Sequence, residues 1–280
     1  MNTITNETPA EATAKTRFGK TFLVLLALGV PGVLTLIPMT LDQLDALPPE
    51  MLELSVPLTV ALSLLTPLIL LALAVAVGTL LAHRVGLRSL VAERVRHGAA
   101  IWPQLRPHIA MAFVVGIIFA IVVLGLDALI NPFASTDLAS GPAVGETPTI
   151  GALLAQLLLG LLYGGIVEEL MLRWGVMALF VWIGWRLAQR GQGTPQPALV
   201  WTANILAALL FGIGHLPALA AMVTLTPLIV LRTVLLNAFG GVLFGWLFWR
   251  RNLETAMVAH AATHVGFLVV NVAVAVLTLA

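Results

Sequence analysis

A small set of polar residues lies inside stretches that are otherwise almost wholly apolar: Glu168, Glu169, Arg173, His215, Arg232, Asn237, His260 and His264. A charged side chain at mid-membrane costs ~2.5–3.5 kcal/mol on insertion scales, so such residues mark a site or a compensated pair. Adjacent Glu168 and Glu169 point about 100° apart on an α-helix and cannot face one ligand equally. Arg173 follows Glu169 by four residues and can pair with it on one face. Glu168 is then left free for chemistry. His260 and His264 also stand four apart, so both face the same side. That spacing suits two ligands of one metal ion or two donors to an oxyanion.

Each of these residues also has a plain structural reading. The acidic cluster with Arg173 could be a neutralised group that merely permits insertion. A lone histidine such as His215 is most often a packed core residue. His260 and His264 could make interhelical hydrogen bonds of ~0.6–2 kcal/mol each. Arg232 and Asn237 read as structural first, Arg232 neutralising a carboxylate or snorkelling to an interface. Gly240, Gly241 and Gly245 permit close helix approach. Counting favours chemistry for the rest. Glu168 lies 18 residues before Arg186, and His215 lies 17 residues after Ala198. If these two helices form an antiparallel hairpin around 187–197, Glu168 and His215 meet at similar depth.

The elements that must position these groups are membrane spans. The 280-residue chain is 60% hydrophobic and 10% charged, against ~25% charged in an average soluble domain. Its mean hydropathy is +1.03. This composition excludes a disordered chain, a coiled coil, a nucleic-acid binder and an ordinary soluble enzyme. The ~10-residue alternating segments of a β-barrel are missing. The absence of cysteine excludes disulfides, thiolate zinc ligation and thiol catalysis.

The expected fold is therefore all-α, a polytopic membrane bundle of seven to eight transmembrane helices. Spans are expected near 21–40 (kinked at Pro31), 55–82, 108–130, 150–185, 198–215, 225–249 and 255–279, with an eighth conceivable in 216–226. The 150–185 stretch exceeds the ~20 residues a span needs, and its basic end (Arg186, Arg190) points to one long helix that projects from the membrane. Residues 1–20 read as an N-terminal tail, 21–149 as scaffold spans and 150–280 as the working bundle. Basic segments (Lys15 to Lys20, Arg84 to Arg106) alternate with the acidic connections 41–53 and 131–149. The positive-inside rule then puts the N-terminus and the 84–107 connection in the cytoplasm. The Ala/Leu/Arg-rich chain suggests a bacterial cytoplasmic membrane.

Three segments in order then resemble a known family. EELMLR (Glu168–Arg173) is similar to EExxxR, FGIGH (Phe211–His215) to FxxxH, and HAATH (His260–His264) to a third motif, HxxxN or a variant. Over about residues 150–275 the chain resembles the CAAX protease and bacteriocin-processing family of intramembrane proteases. That family is also called Abi and includes the type II CAAX prenyl protease. The resemblance implies an endopeptidase that cleaves a membrane-associated protein or peptide. It implies that Glu168 and His215 activate water, that His260 and His264 stabilise the oxyanion or ligate a metal, and that Glu169 and Arg173 support them. Position 264 is His where the family often has Asn. His215, His260 and His264 could then ligate a zinc ion and leave a fourth position for water.

Two rival readings differ in class. A non-catalytic bacteriocin-immunity or scaffold protein should lack an acid or a histidine from the set, and none is lacking. A proton-coupled transporter should show two related halves; here the polar residues fall in one half.

Overall fold

The computed structural model describes residues 9–48, 54–138 and 149–279. All regular secondary structure among the described residues is helical, with no strand. In chain order the helices are α1 (Pro9–Leu34), α2 (Leu36–Asp45), α3 (Val56–Leu81), α4 (Leu90–His97), α5 (Trp102–Leu138), α6 (Ile150–Leu158), α7 (Ala178–Ala188), α8 (Pro197–Gly214), α9 (Leu216–Ala220), α10 (Pro227–Arg250) and α11 (Leu253–Leu279). Between α6 and α7 the segment Leu159–Met177 continues the same rod in a wider winding. Its backbone bonds run i→i+5 rather than i→i+4.

Seven helical rods among the described residues are long and apolar enough to cross a membrane. They match the seven expected spans. Their apolar faces turn outward as well as inward: Leu62, Ile69, Ile118, Ile121, Leu206, Leu231 and Val269 are all exposed. Only lipid makes such a surface favourable, so this is an integral membrane bundle. The 216–226 segment is no eighth span. It holds only the five-residue α9, with Pro217 in its first turn, before Pro227 opens α10.

Three boundaries differ from the expectation. Residues 9–20, read as tail, are already helical and run straight into the first span. The connection after the third span is likewise helical as far as Leu138, while 139–148 lies outside the described residues. Both extensions cost nothing because polar helix ends reach water beyond the hydrocarbon. The third difference is the wide winding. From Ile150 to Ala188 the rod is unbroken, as expected, but 19 of its residues follow the π pattern. Hydrophobic patterning carries no signal for that choice.

Tight crossings fix the packing of these helices. α10 crosses α8 where Gly241 meets Ala208 and Gly245 meets Asn204, and α5 crosses α11 at Gly116. A Cβ on any of these glycines would collide with the facing helix, so the close approach depends on them. The Asn204 amide donates to the Val242 carbonyl at 3.0 Å across the same contact. At one end of the bundle the Glu254 carboxylate ties α11 to α4. It accepts from Ser89 Oγ (2.7 Å), Leu90 N (2.8 Å) and Val91 N (3.0 Å). An anion at a helix N-terminus satisfies otherwise orphaned donors. Nearby, Arg88 grips Glu93 through two bonds of 2.6 and 2.8 Å, and that hydrogen bonding pushes the guanidinium above its ordinary pKa.

Candidate active site

The wide segment, α8, α10 and α11 converge on a cavity of about 720 Å³. Glu168 lines it, as do His215, His260 and His264. The four side chains named from the sequence therefore do meet in one space, and the counted hairpin of Glu168 and His215 forms as expected.

Glu168 stands between two imidazoles. Its Oε1 is 3.9 Å from His215 Nε2, and its Oε2 is 3.7 Å from His260 Nε2. Both gaps exceed a direct hydrogen bond and suit a bridging water. The far nitrogen of each ring is already engaged. His215 Nδ1 lies 2.8 Å from the Phe211 carbonyl. A carbonyl only accepts, so Nδ1 carries a proton, and in the neutral ring Nε2 turns its lone pair toward Glu168. His260 Nδ1 lies 2.8 Å from Glu169 Oε1.

Glu169 is fully buried, and Arg173 pairs with it at 3.2 Å. This is the i, i+4 pair expected from the sequence. Arg173 also donates to the Gly241 carbonyl at 3.3 Å, and its guanidinium lies over the Phe211 and Phe244 rings at 4.7 and 5.5 Å. Such stacking suits a weakly hydrated, planar cation in a dry setting. Phe244 in turn stacks on His260 at 4.4 Å. The chain Arg173–Glu169–His260 thus holds one imidazole by charge, hydrogen bond and ring contact.

His264 plays a different part from the one expected for a third ligand. It stacks on His260 with ring centroids 5.3 Å apart and planes within 19°. Its ring fills a slot opened by Gly160 and Gly164, where a Cβ would strike it. Parallel stacked rings send their nitrogens along parallel lines rather than to one point. Among the described residues no three His, Cys, Asp or Glu side chains could hold one metal ion. The three-histidine set of His215, His260 and His264 does not fit a zinc centre in this arrangement.

The sequence reading missed Tyr163, the aromatic walls and the partner of Arg232. Tyr163 lines the cavity with Glu168. On an α-helix, positions five apart lie about 140° round from each other, so the pair was invisible to α counting. An i→i+5 winding stacks them. Phe211, the first residue of the FxxxH-like segment, touches His215, His260 and Arg173. Arg232 pairs with Asp127 across α10 and α5, and Asn237 donates to the Thr233 carbonyl at 2.8 Å on its own helix. The structural readings of Arg232 and Asn237 agree with these contacts.

Comparison with known proteins gives one match. Residues 149–266 match the family model described as type II CAAX prenyl endopeptidase Rce1-like. No curated protein and no solved structure matches the chain.

Proposed function

We propose, from the match of residues 149–266 to the family model described as type II CAAX prenyl endopeptidase Rce1-like, that this chain hydrolyses a peptide bond within the membrane with Glu168 as general base. The observation that carries the reading is the Glu168 carboxylate set between the Nε2 atoms of His260 and His215, at 3.7 and 3.9 Å, inside a cavity.

A water in those gaps donates one hydrogen to Glu168 and the other to the His215 lone pair. Its own lone pair is then aimed at the scissile carbonyl. Glu168 takes the proton as oxygen attacks. The proton passes to His260 Nε2, 3.7 Å away. The imidazolium that forms is stabilised by Glu169 behind it, as a buried carboxylate does for histidine in hydrolases. Its Nε2–H faces the developing oxyanion and later protonates the leaving amine. Arg173 pairs with Glu169 at 3.2 Å and fixes its position. His264 and Tyr163 line the same space and bear on the substrate rather than on the proton path. The proposed substrate is a membrane-associated protein or peptide.

Glu168→Gln keeps the side chain's shape and removes the base. In proteoliposomes with a quenched fluorescent peptide, turnover is expected to fall ~10²–10⁴-fold, the usual share of general acid–base catalysis. Cleavage at the unsubstituted rate would overturn the assignment.

A further inference from the structure

The cavity is closed toward one end of the bundle and reaches toward the other. At the first end its lining stops at Leu172, Phe244 and His260, and Arg173, Trp174 and Phe248, next along the same helices, are buried. In the opposite direction its walls include Met39 of α2, Asp127 late in α5, Ala218 of α9, Arg232 early in α10 and Asn271 late in α11. All of these lie where the helices approach the connections 41–53, 131–149 and 216–226.

Charge is divided between the same two ends. Apart from Arg173 and Arg232, every Lys and Arg of the chain falls in residues 15–20, 84–106, 186–190 or 250–251. These segments share the closed end. α4 packs on α1, the 82–85 turn packs on α7, and Leu253 N donates to the Arg88 carbonyl at 3.0 Å. In the sequence the stretches 41–53, 131–149 and 216–226 hold Asp42, Asp45, Glu50, Glu53, Asp137 and Glu146, and no Lys or Arg. All are short connections, the kind whose Lys and Arg content sets orientation.

We infer that the closed, basic end is cytoplasmic and that the cavity takes its substrate from the extracytoplasmic side. The substrate class is then a peptide segment at or beyond the outer leaflet, such as a translocated peptide or the outward end of a membrane segment, and not a cytoplasmic C-terminal tail. This rests on the proposed hydrolysis at Glu168, whose failure the test separates from a failure of sidedness.

The chain has no cysteine, so single reporters can be introduced cleanly. Asp45 and Arg251 are both exposed, one at each end. In right-side-out vesicles from expressing cells, a membrane-impermeant maleimide is expected to label Asp45→Cys and not Arg251→Cys, with the reverse in inverted vesicles. A soluble, impermeant quenched peptide added to the unsubstituted chain is expected to be cleaved at least about 10-fold faster by right-side-out than by inverted vesicles, the order of one decade per 1.4 kcal/mol of access. Labelling of Asp45→Cys only in inverted vesicles, or faster cleavage there, overturns the sidedness. Cleavage that survives Glu168→Gln overturns the hydrolytic reading while the labelling still reports orientation. Absence of cleavage from either side overturns the substrate class.

Discussion

Two arginine–carboxylate pairs flank the site, one buried behind His260 and one lining the cavity, and their surroundings differ. At the inner end Arg173 and Glu169 are buried, 2% and 0% exposed, and Glu169 carries a second partner in His260. Toward the mouth Arg232 and Asp127 are partly exposed and bridge two helices. The inner pair is costly to desolvate, and its attraction offsets that cost only with further hydrogen bonds. Those bonds go to His260 and the Gly241 carbonyl. The outer pair neutralises two charges and sets a helix contact. Identical ion-pair chemistry thus serves orientation in one place and insertion in the other, and burial plus a third partner decides which.

The sharpest way to break this contrast is Arg173→Ala. It leaves the Glu169 carboxylate buried without its cation, and the thermal unfolding midpoint in detergent should fall by the equivalent of ~3–5 kcal/mol. The double change Glu169→Met with Arg173→Met should recover most of that stability yet leave cleavage abolished, since His260 loses its carboxylate. Recovery of cleavage together with the fold would show the inner pair to be structural only.

His260→Phe comes next. It keeps a ring against Phe244 and removes both nitrogens. Turnover is expected to drop ~10²–10³-fold, the usual cost of losing one oxyanion donor, with KM within about threefold. An effect confined to KM would assign His260 to binding.

Gly164→Val tests the slot that seats His264. A Cβ there would stand 2.5 Å from His264 Nε2, and overpacking of this kind costs ~1–3 kcal/mol. Stability measured by thermal unfolding should fall by that amount, whereas His264→Ala in the same background should restore part of it.

The smallest effect belongs to the outer pair. Asp127→Asn should change stability by at most ~1 kcal/mol, the range of partly exposed ion pairs, and turnover by less than about twofold. A loss as large as that of Arg173→Ala would erase the difference between the two ends.

Much of this was legible in the chain. The seven spans followed from apolar run length, because lipid tolerates few charges and demands ~20-residue helices. The pair of Glu169 with Arg173 followed from i, i+4 spacing. The meeting of Glu168 with His215 followed from counting along a hairpin, because two helices joined by a short turn must run side by side. The wide winding of Leu159–Met177 was not legible, since π and α segments share the same hydrophobic pattern, and Tyr163 was missed with it. Nor was the seat of His264 legible. Its i, i+4 relation to His260 suggested two convergent ligands, whereas the glycine slot of a neighbouring rod turned the rings into a stack.

Sequence alone determined that the chain is a helical membrane bundle, which residues would be expensive to bury, and which end of the bundle is basic. Those properties depend on composition and on spacing along one helix. Tertiary structure decided which carboxylate meets His260 Nδ1, which nitrogen of each histidine is engaged, and toward which end the cavity reaches. Each of these depends on contacts between residues far apart in the chain, such as His260 with Glu169 or Arg232 with Asp127, and such contacts exist only once the helices have packed.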